Sequence, residues 1–227
     1  MAATVGLLTI GEAPRPDGLA RDMAQVLGNV RVVERGALDG LDTSGVVALA
    51  PGEGDDTLVT LRADGSSVRI AKRGILQRLQ LRIEQLEGED GADVVLLMCT
   101  GAFPPFRHER PLLVPQRALY ATVGAYAAGG GRIGSLTPLA EQREAALRKW
   151  RDFGREDVAV RTADPYARDA VSQVERAANE LREDGAKVLF MDCFGYDLGM
   201  KAAARKEFGG PVVLARSMAA RMAMEVV

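Results

Sequence analysis

The stretch EDGADVVLLMCTG, residues 89–101, returns as EDGAKVLFMDCFG at residues 183–195. Aligned without a gap, 7 of the 13 positions are identical, and the offset is 94 residues. The chain has two cysteines, Cys99 and Cys193, and they occupy the same place in the two copies. An internal repeat of this kind restricts the fold to two similar halves. It also asks why the only two thiols stand at matching points.

Each copy is an apolar run that ends in a cysteine and a glycine, and the rest of the chain extends the pattern. ATVGLLTI, VRVVE, RIGSLT, DVAVRT and PVVLA read as buried strands separated by amphipathic stretches. Strands alternating with helices imply βαβ units and parallel sheets. A long helix is expected over about 72–86, with Ile75, Leu76, Leu79, Ile83 and Leu86 at helical spacing. Pro115 and Pro138 each read as the first turn of a helix. The segment TLVTLRADGSSVRIA carries strand residues on both sides of Asp64-Gly65, the signature of a β-hairpin.

The repeat extends weakly upstream, because VGLLTIG before the first copy resembles IGSLTP before the second. Thr9 lies 90 residues before Cys99 and Thr137 lies 56 before Cys193, a difference of 34. That difference is close to the length of the section at about 36–71 that holds the hairpin. The expected fold is therefore α/β, with two similar lobes of parallel sheet related by pseudo-two-fold symmetry. The first lobe covers 1–114, with a β-hairpin insertion at about 50–71, and a C-terminal segment 210–227 completes it. The second lobe covers 115–209.

Composition narrows the function. Net charge is −2, which gives no reason to expect nucleic acid or an anionic membrane as partner. No run approaches the roughly 18–20 apolar residues of a membrane span, and the N-terminus lacks the basic region of a signal peptide. Two cysteines make no disulfide framework, so a cytoplasmic protein with reduced thiols is expected. AAGGGR lacks the lysine of a phosphate loop and the spacing of a dinucleotide fingerprint, so it reads as a turn between helix and strand. No His/Cys/carboxylate spacing suggests a metal, and no cofactor is expected.

In parallel sheets, ligands bind beyond the carboxyl ends of the strands, where both thiols should lie. Gly101 and Gly195 would let backbone N–H groups approach a ligand. If the lobes face each other, the thiols fall on opposite sides of one cleft. One thiolate can then take a proton from carbon while the other thiol returns one to the opposite face. A free thiol, with a pKa of about 8.5, is only a few per cent ionised at neutral pH, so hydrogen bonds must assist. Two buried structural cysteines, or a redox pair, are the competing readings.

A small carboxylate substrate would need neutralising and polarising groups. Candidates are Thr9, Gly11 and Arg15 after the first strand, Thr100 beside Cys99, and Ser135 and Thr137 at the end of RIGSLT. Gly101, Phe194, Gly195 and Tyr196 adjoin the cysteines, followed by Asp197. Arg15 is the expected carboxylate clamp. His108, the only histidine, lies in the polar loop FRHERP and reads as a surface residue.

TIGEAPR, GEGDDTLVTLRADG, LLMCTGAFP and LFMDCFGYD, spread over nearly the whole chain, resemble the AroM family. That family resembles in turn the aspartate/glutamate/hydantoin racemase superfamily, which implies two Rossmann-like lobes and a cysteine pair in the cleft between them. By this resemblance Cys99 and Cys193 are the catalytic pair of a cofactor-independent racemase, epimerase or related isomerase acting on an amino acid or related acid. The superfamily also holds arylmalonate decarboxylases and maleate isomerases, which rely on a single reactive cysteine, and a catalytically silent binding or regulatory protein is a third reading. Racemases of the superfamily follow their cysteines with Asn-Thr and Thr-His, whereas here Thr100-Gly101 and Phe194-Gly195 follow. The missing histidine puts an amino-acid substrate in doubt, and Phe103 and Phe194 suggest a more apolar cleft. A homodimer is compatible with the sequence, and the hairpin reads equally as a lid or a dimer contact.

Overall fold

The computed structural model describes residues 2–227 and resolves the chain into two units, Met1–Pro115 with Ala219–Val227, and Gln116–Met218. In the first unit the elements are β1 (Thr4–Thr9), α1 (Leu19–Leu27), β2 (Arg31–Gly36), α2 (Thr43–Val47), β3 (Thr57–Leu61), β4 (Ser67–Ala71), α3 (Lys72–Gly88), β5 (Val94–Leu97) and β6 (Leu112–Leu113). β2, β1, β5 and β6 form a parallel four-stranded sheet in that order. β3 and β4 form a separate antiparallel hairpin whose turn uses Gly65 at φ 84°, as Asp64-Gly65 predicts.

The second unit contains α4 (Gln116–Tyr126), β7 (Ile133–Thr137), α5 (Arg143–Asp152), β8 (Val158–Thr162), α6 (Ala170–Glu183), β9 (Val188–Met191), α7 (Leu198–Phe208), β10 (Val212–Leu214) and the start of α8 (Ala215–Met224). Its sheet order is β10-β9-β7-β8, again all parallel. Counted within each unit, the first strand lies between the second and third, and the fourth flanks the third. The two units therefore share one topology, and the hairpin is extra to the first.

The match reaches single contacts. A Cβ built on Gly6 of β1 would lie 3.1 Å from Ala92 Cβ and 3.2 Å from Leu86 Cδ2. A Cβ on Gly134 of β7 would meet Ala186 Cβ at 3.2 Å and Leu181 Cδ1 at 3.2 Å. In both units the first strand and the last leucine of the helix before the third strand approach closely because glycine leaves no side chain between them. Gly91 and Gly185, the paired glycines of the repeat, both take positive φ, 66° and 80°.

The first core packs Ile75, Leu79, Ile83 and Leu86 of α3 on Leu8, Val95 and Leu97. Each such fully buried side chain contributes about 1.5–3 kcal/mol of transfer free energy. The second core packs Val174, Ala178 and Leu181 of α6, with Met200, Ala204 and Phe208 of α7, against Leu136, Leu189 and Met191. No helix among the described residues is long and apolar enough to cross a membrane.

Two boundaries differ from the sequence reading. Val212–Leu214 pair with β9, so residues 210–218 group with the second unit and only Ala219–Val227 join the first. A short edge strand carries no signal of which sheet it will enter. Pro138 does not open an α-helix directly, since a 3-10 turn at Ala140–Gln142 comes first. α6 begins at Ala170, after a turn held by Asp164, whose side chain accepts from the Tyr166 N–H at 2.8 Å.

Candidate functional site

In the first unit, β5 ends at Leu97 and Cys99 follows in a turn at the strand's carboxyl end. The Gly101 N–H donates to Cys99 Sγ at 3.3 Å. In the second unit, β9 ends at Met191, and the Gly195 N–H donates to Cys193 Sγ, also at 3.3 Å. Each unit thus builds the same Cys-X-Gly turn, with a backbone donor on the sulfur. Such a hydrogen bond is strongest when its acceptor is charged, so the turn suits a thiolate. Cys99 is 8% exposed and packs on the first core, while Cys193 is half-buried against the second.

The glycines of the two turns meet different neighbours. A Cβ on Gly101 would lie 3.1 Å from the Phe103 ring and 3.4 Å from Cys99 Sγ. A Cβ on Gly195 would lie 2.7 Å from both Pro165 Cγ and the Tyr166 hydroxyl. The loop before α6 therefore closes on the Cys193 turn and brings Tyr166 beside it, a residue the sequence reading missed.

The β1–α1 loop serves a different purpose from the one expected. A Cβ on Gly11 would stand 2.4 Å from the Leu61 carbonyl oxygen and 2.4 Å from Thr60 Oγ1. The Glu12 N–H donates to that Leu61 oxygen at 3.2 Å, and the Glu12 carboxylate accepts from Arg62 Nε at 3.1 Å and the Ala63 N–H at 2.6 Å. Arg15, its side chain 2% exposed, donates to Thr9 Oγ1 at 3.3 Å, Thr60 Oγ1 at 3.2 Å and Asp17 at 2.8 Å. GEAPR is thus where the hairpin docks, with Asp17 as counter-ion to Arg15. Arg15 and Gly11 are placed as loop scaffold rather than as a carboxylate clamp and an open amide. Glu34 accepts from the Arg15 backbone N–H at 3.4 Å, and burial raises its pKa against that hydrogen bond and the Arg15 charge.

Of the other expected residues, Thr9 and Thr137 end β1 and β7, the corresponding strands of the two sheets, and Thr100 adjoins Cys99. All three are buried. Thr137 lies within 3.5 Å of the Leu139 and Arg161 carbonyl oxygens. Ser135 requires correction: it is in the middle of β7, fully buried, in register with Phe190 and away from the strand end. Tyr196 also requires correction. It is 0% exposed, sits in the second core and donates its hydroxyl to the Ala163 carbonyl at 2.6 Å. Burial, with Cys193 next, holds its phenol pKa well above the usual tyrosine value, so it stays a neutral donor. The Phe194 side chain is buried as well. Asp197 caps α7 through the Met200 N–H at 2.7 Å, and His108 is exposed, with Nδ1 2.9 Å from the Arg110 carbonyl oxygen.

Two buried charges escaped the sequence reading. Asp192, directly before Cys193, accepts from the Tyr120 hydroxyl and from Lys149 Nζ at 3.0 Å. Burial, then the Asp192 charge, holds the Tyr120 phenol well above its usual pKa. Met98 stands at this place in the first copy of the repeat, so comparing the copies marks Asp192 as peculiar to the second. The other is Arg216 of α8, which donates to the Phe194 carbonyl from Nε at 3.0 Å and from a terminal nitrogen at 2.8 Å. Its only sequence signal is a charge in the apolar run VVLARSMAA.

Fold and site together define a duplicated α/β protein with one cysteine turn at the carboxyl end of the third strand of each half. Within that class, the chain belongs to the AroM family: the family model, described as AroM protein, matches residues 5–227. No curated protein sequence matches the chain. Among solved structures, the aspartate racemase of Picrophilus torridus is similar, with 14% identity, a TM-score of 0.58, and coverage of 99% of this chain and 95% of that one. An arylmalonate decarboxylase is similar at 16% identity and a TM-score of 0.60, covering 98% and 90%. The glutamate racemase of Aquifex pyrophilus follows at 15% and 0.55, covering 98% and 82%. These likenesses extend over both halves of the chain and establish the fold.

Proposed function

We propose that this protein is a cofactor-independent isomerase of the racemase or epimerase type, acting on a small carboxylate through Cys99 and Cys193. The observation that carries the reading is the pair of matching turns, each aiming a backbone N–H at its sulfur from 3.3 Å. The fold shared with aspartate and glutamate racemases supports it.

In this reading both thiols act on one substrate. One, as thiolate, removes the proton from the carbon beside the carboxylate. The other, as thiol, delivers its proton to the opposite face, so configuration inverts and charge is conserved. The reverse reaction exchanges the roles, and the pair titrates as one coupled system. Thr100 and Thr137 are the hydroxyls assigned to the carboxylate.

A second reading, a decarboxylase or cis–trans isomerase with one reactive cysteine, is favoured by the unequal surroundings of the thiols, Cys99 buried and Cys193 half-buried. Incubation with amino acids, hydantoins and dicarboxylates in heavy water separates the two. Racemisation places deuterium beside the carboxylate, and either Cys99→Ser or Cys193→Ser abolishes it. An adduct on one cysteine, or loss of CO2 that survives one of the substitutions, selects the second reading. Tight binding with no exchange selects a silent binding protein.

A further inference from the structure

We infer that Arg216 is a positioning residue that keeps the Cys193 sulfur ready as a thiolate by gripping the peptide unit whose N–H points at that sulfur. The Phe194 carbonyl and the Gly195 N–H are opposite ends of one planar peptide group. Arg216 holds the oxygen end with two hydrogen bonds, at 3.0 and 2.8 Å, and reaches the Gly195 carbonyl at 3.4 Å. The nitrogen end donates to Cys193 Sγ at 3.3 Å. Because the group is planar, fixing its oxygen fixes the direction of its N–H.

The second effect is electrostatic. A guanidinium on the carbonyl draws electron density toward the oxygen and makes the N–H of the same amide a stronger donor. The Arg216 guanidinium is 1% exposed, so water screens it little. Other titratable groups also surround the turn. Tyr196 is held neutral, Tyr166 and Asp164 come from the loop before α6, and Asp192 lies behind, tied to Tyr120 and Lys149.

The functional meaning of this role rests on Cys193 acting as an acid/base residue, but its test reads the sulfur directly. In the full chain carrying Cys99→Ser, iodoacetamide alkylation of the remaining thiol is followed by mass across pH. The expected midpoint lies below the free-thiol value of about 8.5. Arg216→Lys keeps the charge but not the two-pronged grip, and should raise the midpoint by about one unit and slow alkylation at pH 7 several-fold. Arg216→Gln, checked for folding by circular dichroism, should raise it further. A midpoint at or above the free-thiol value in the otherwise unchanged chain, which needs no Arg216 variant, overturns the inference. So does an unchanged midpoint in Arg216→Lys, even if that variant loses activity, because Arg216 is then only structural. Failure of deuterium exchange with the midpoint shift intact would sink the isomerase reading and leave Arg216 in its role.

Discussion

Gly11 lies so close to Leu61 that a single added methyl would stand 2.4 Å from the Leu61 carbonyl oxygen. The obstacle is backbone, which has no alternative rotamer. Gly11→Ala should therefore lift the hairpin off the β1–α1 loop and break the bonds that Glu12 and Arg15 make to it. The expected cost is about 2–3 kcal/mol, the range for overpacking a tight contact. Urea unfolding measures it, and hydrogen exchange should show lost protection in β3 and β4. Unchanged protection there would mean the hairpin does not depend on this contact.

The two cysteine turns should respond unequally to the same change. Gly195→Ala meets Pro165 and the Tyr166 hydroxyl at 2.7 Å, whereas Gly101→Ala meets the Phe103 ring at 3.1 Å. The first must move the loop before α6, while the second needs only a small rotation of one ring. Gly195→Ala should cost about 1–3 kcal/mol and Gly101→Ala less than 1 kcal/mol. Thermal unfolding of the pair gives the comparison, and equal losses would contradict it.

Asp192 is a buried carboxylate whose donors include Tyr120 and Lys149. Tyr120→Phe removes one donor while keeping the ring against Trp150 and Phe190. A loss of about 1–3 kcal/mol is expected, because the carboxylate stays desolvated with one bond fewer. A stability change near zero would show that water or another group replaces the phenol.

Glu34 gives a pH dependence with a definite sign. Its folded pKa is raised above the ordinary 4.5, chiefly by burial. The folded protein therefore binds this proton more tightly than the unfolded chain does. The group's stabilising share is complete below the unfolded value and is lost as pH rises through the raised folded value. Glu34→Gln should raise Tm at pH 7, and the gain should shrink as pH falls through the raised folded value and disappear below about 4.5. A gain that is constant across pH would place the effect in packing rather than in the charge.

The repeat made the fold legible. Matching copies at a constant offset required two units of one topology, and Gly6 with Gly134 and Gly91 with Gly185 show that match in individual contacts. Strand runs and helical spacing are local properties, set by burial periodicity along the chain, so α3, the hairpin and the cysteine-bearing strands were readable in advance. The Cys-X-Gly turns were readable for the same reason, since both partners of each hydrogen bond lie within three residues.

What the amino-acid order determined alone was therefore the duplication, the alternation of strand and helix, and the position of each thiol beyond a strand. Tertiary structure decided the partners of the charges. Arg15 found Thr60 across 45 residues, Asp192 found Tyr120 across 72, and Arg216 reached Phe194 across 22. A buried charge takes whichever partner packing brings within about 3 Å, because an unpaired one in a low-dielectric interior costs several kcal/mol. That choice is made by three-dimensional proximity, which no local pattern encodes.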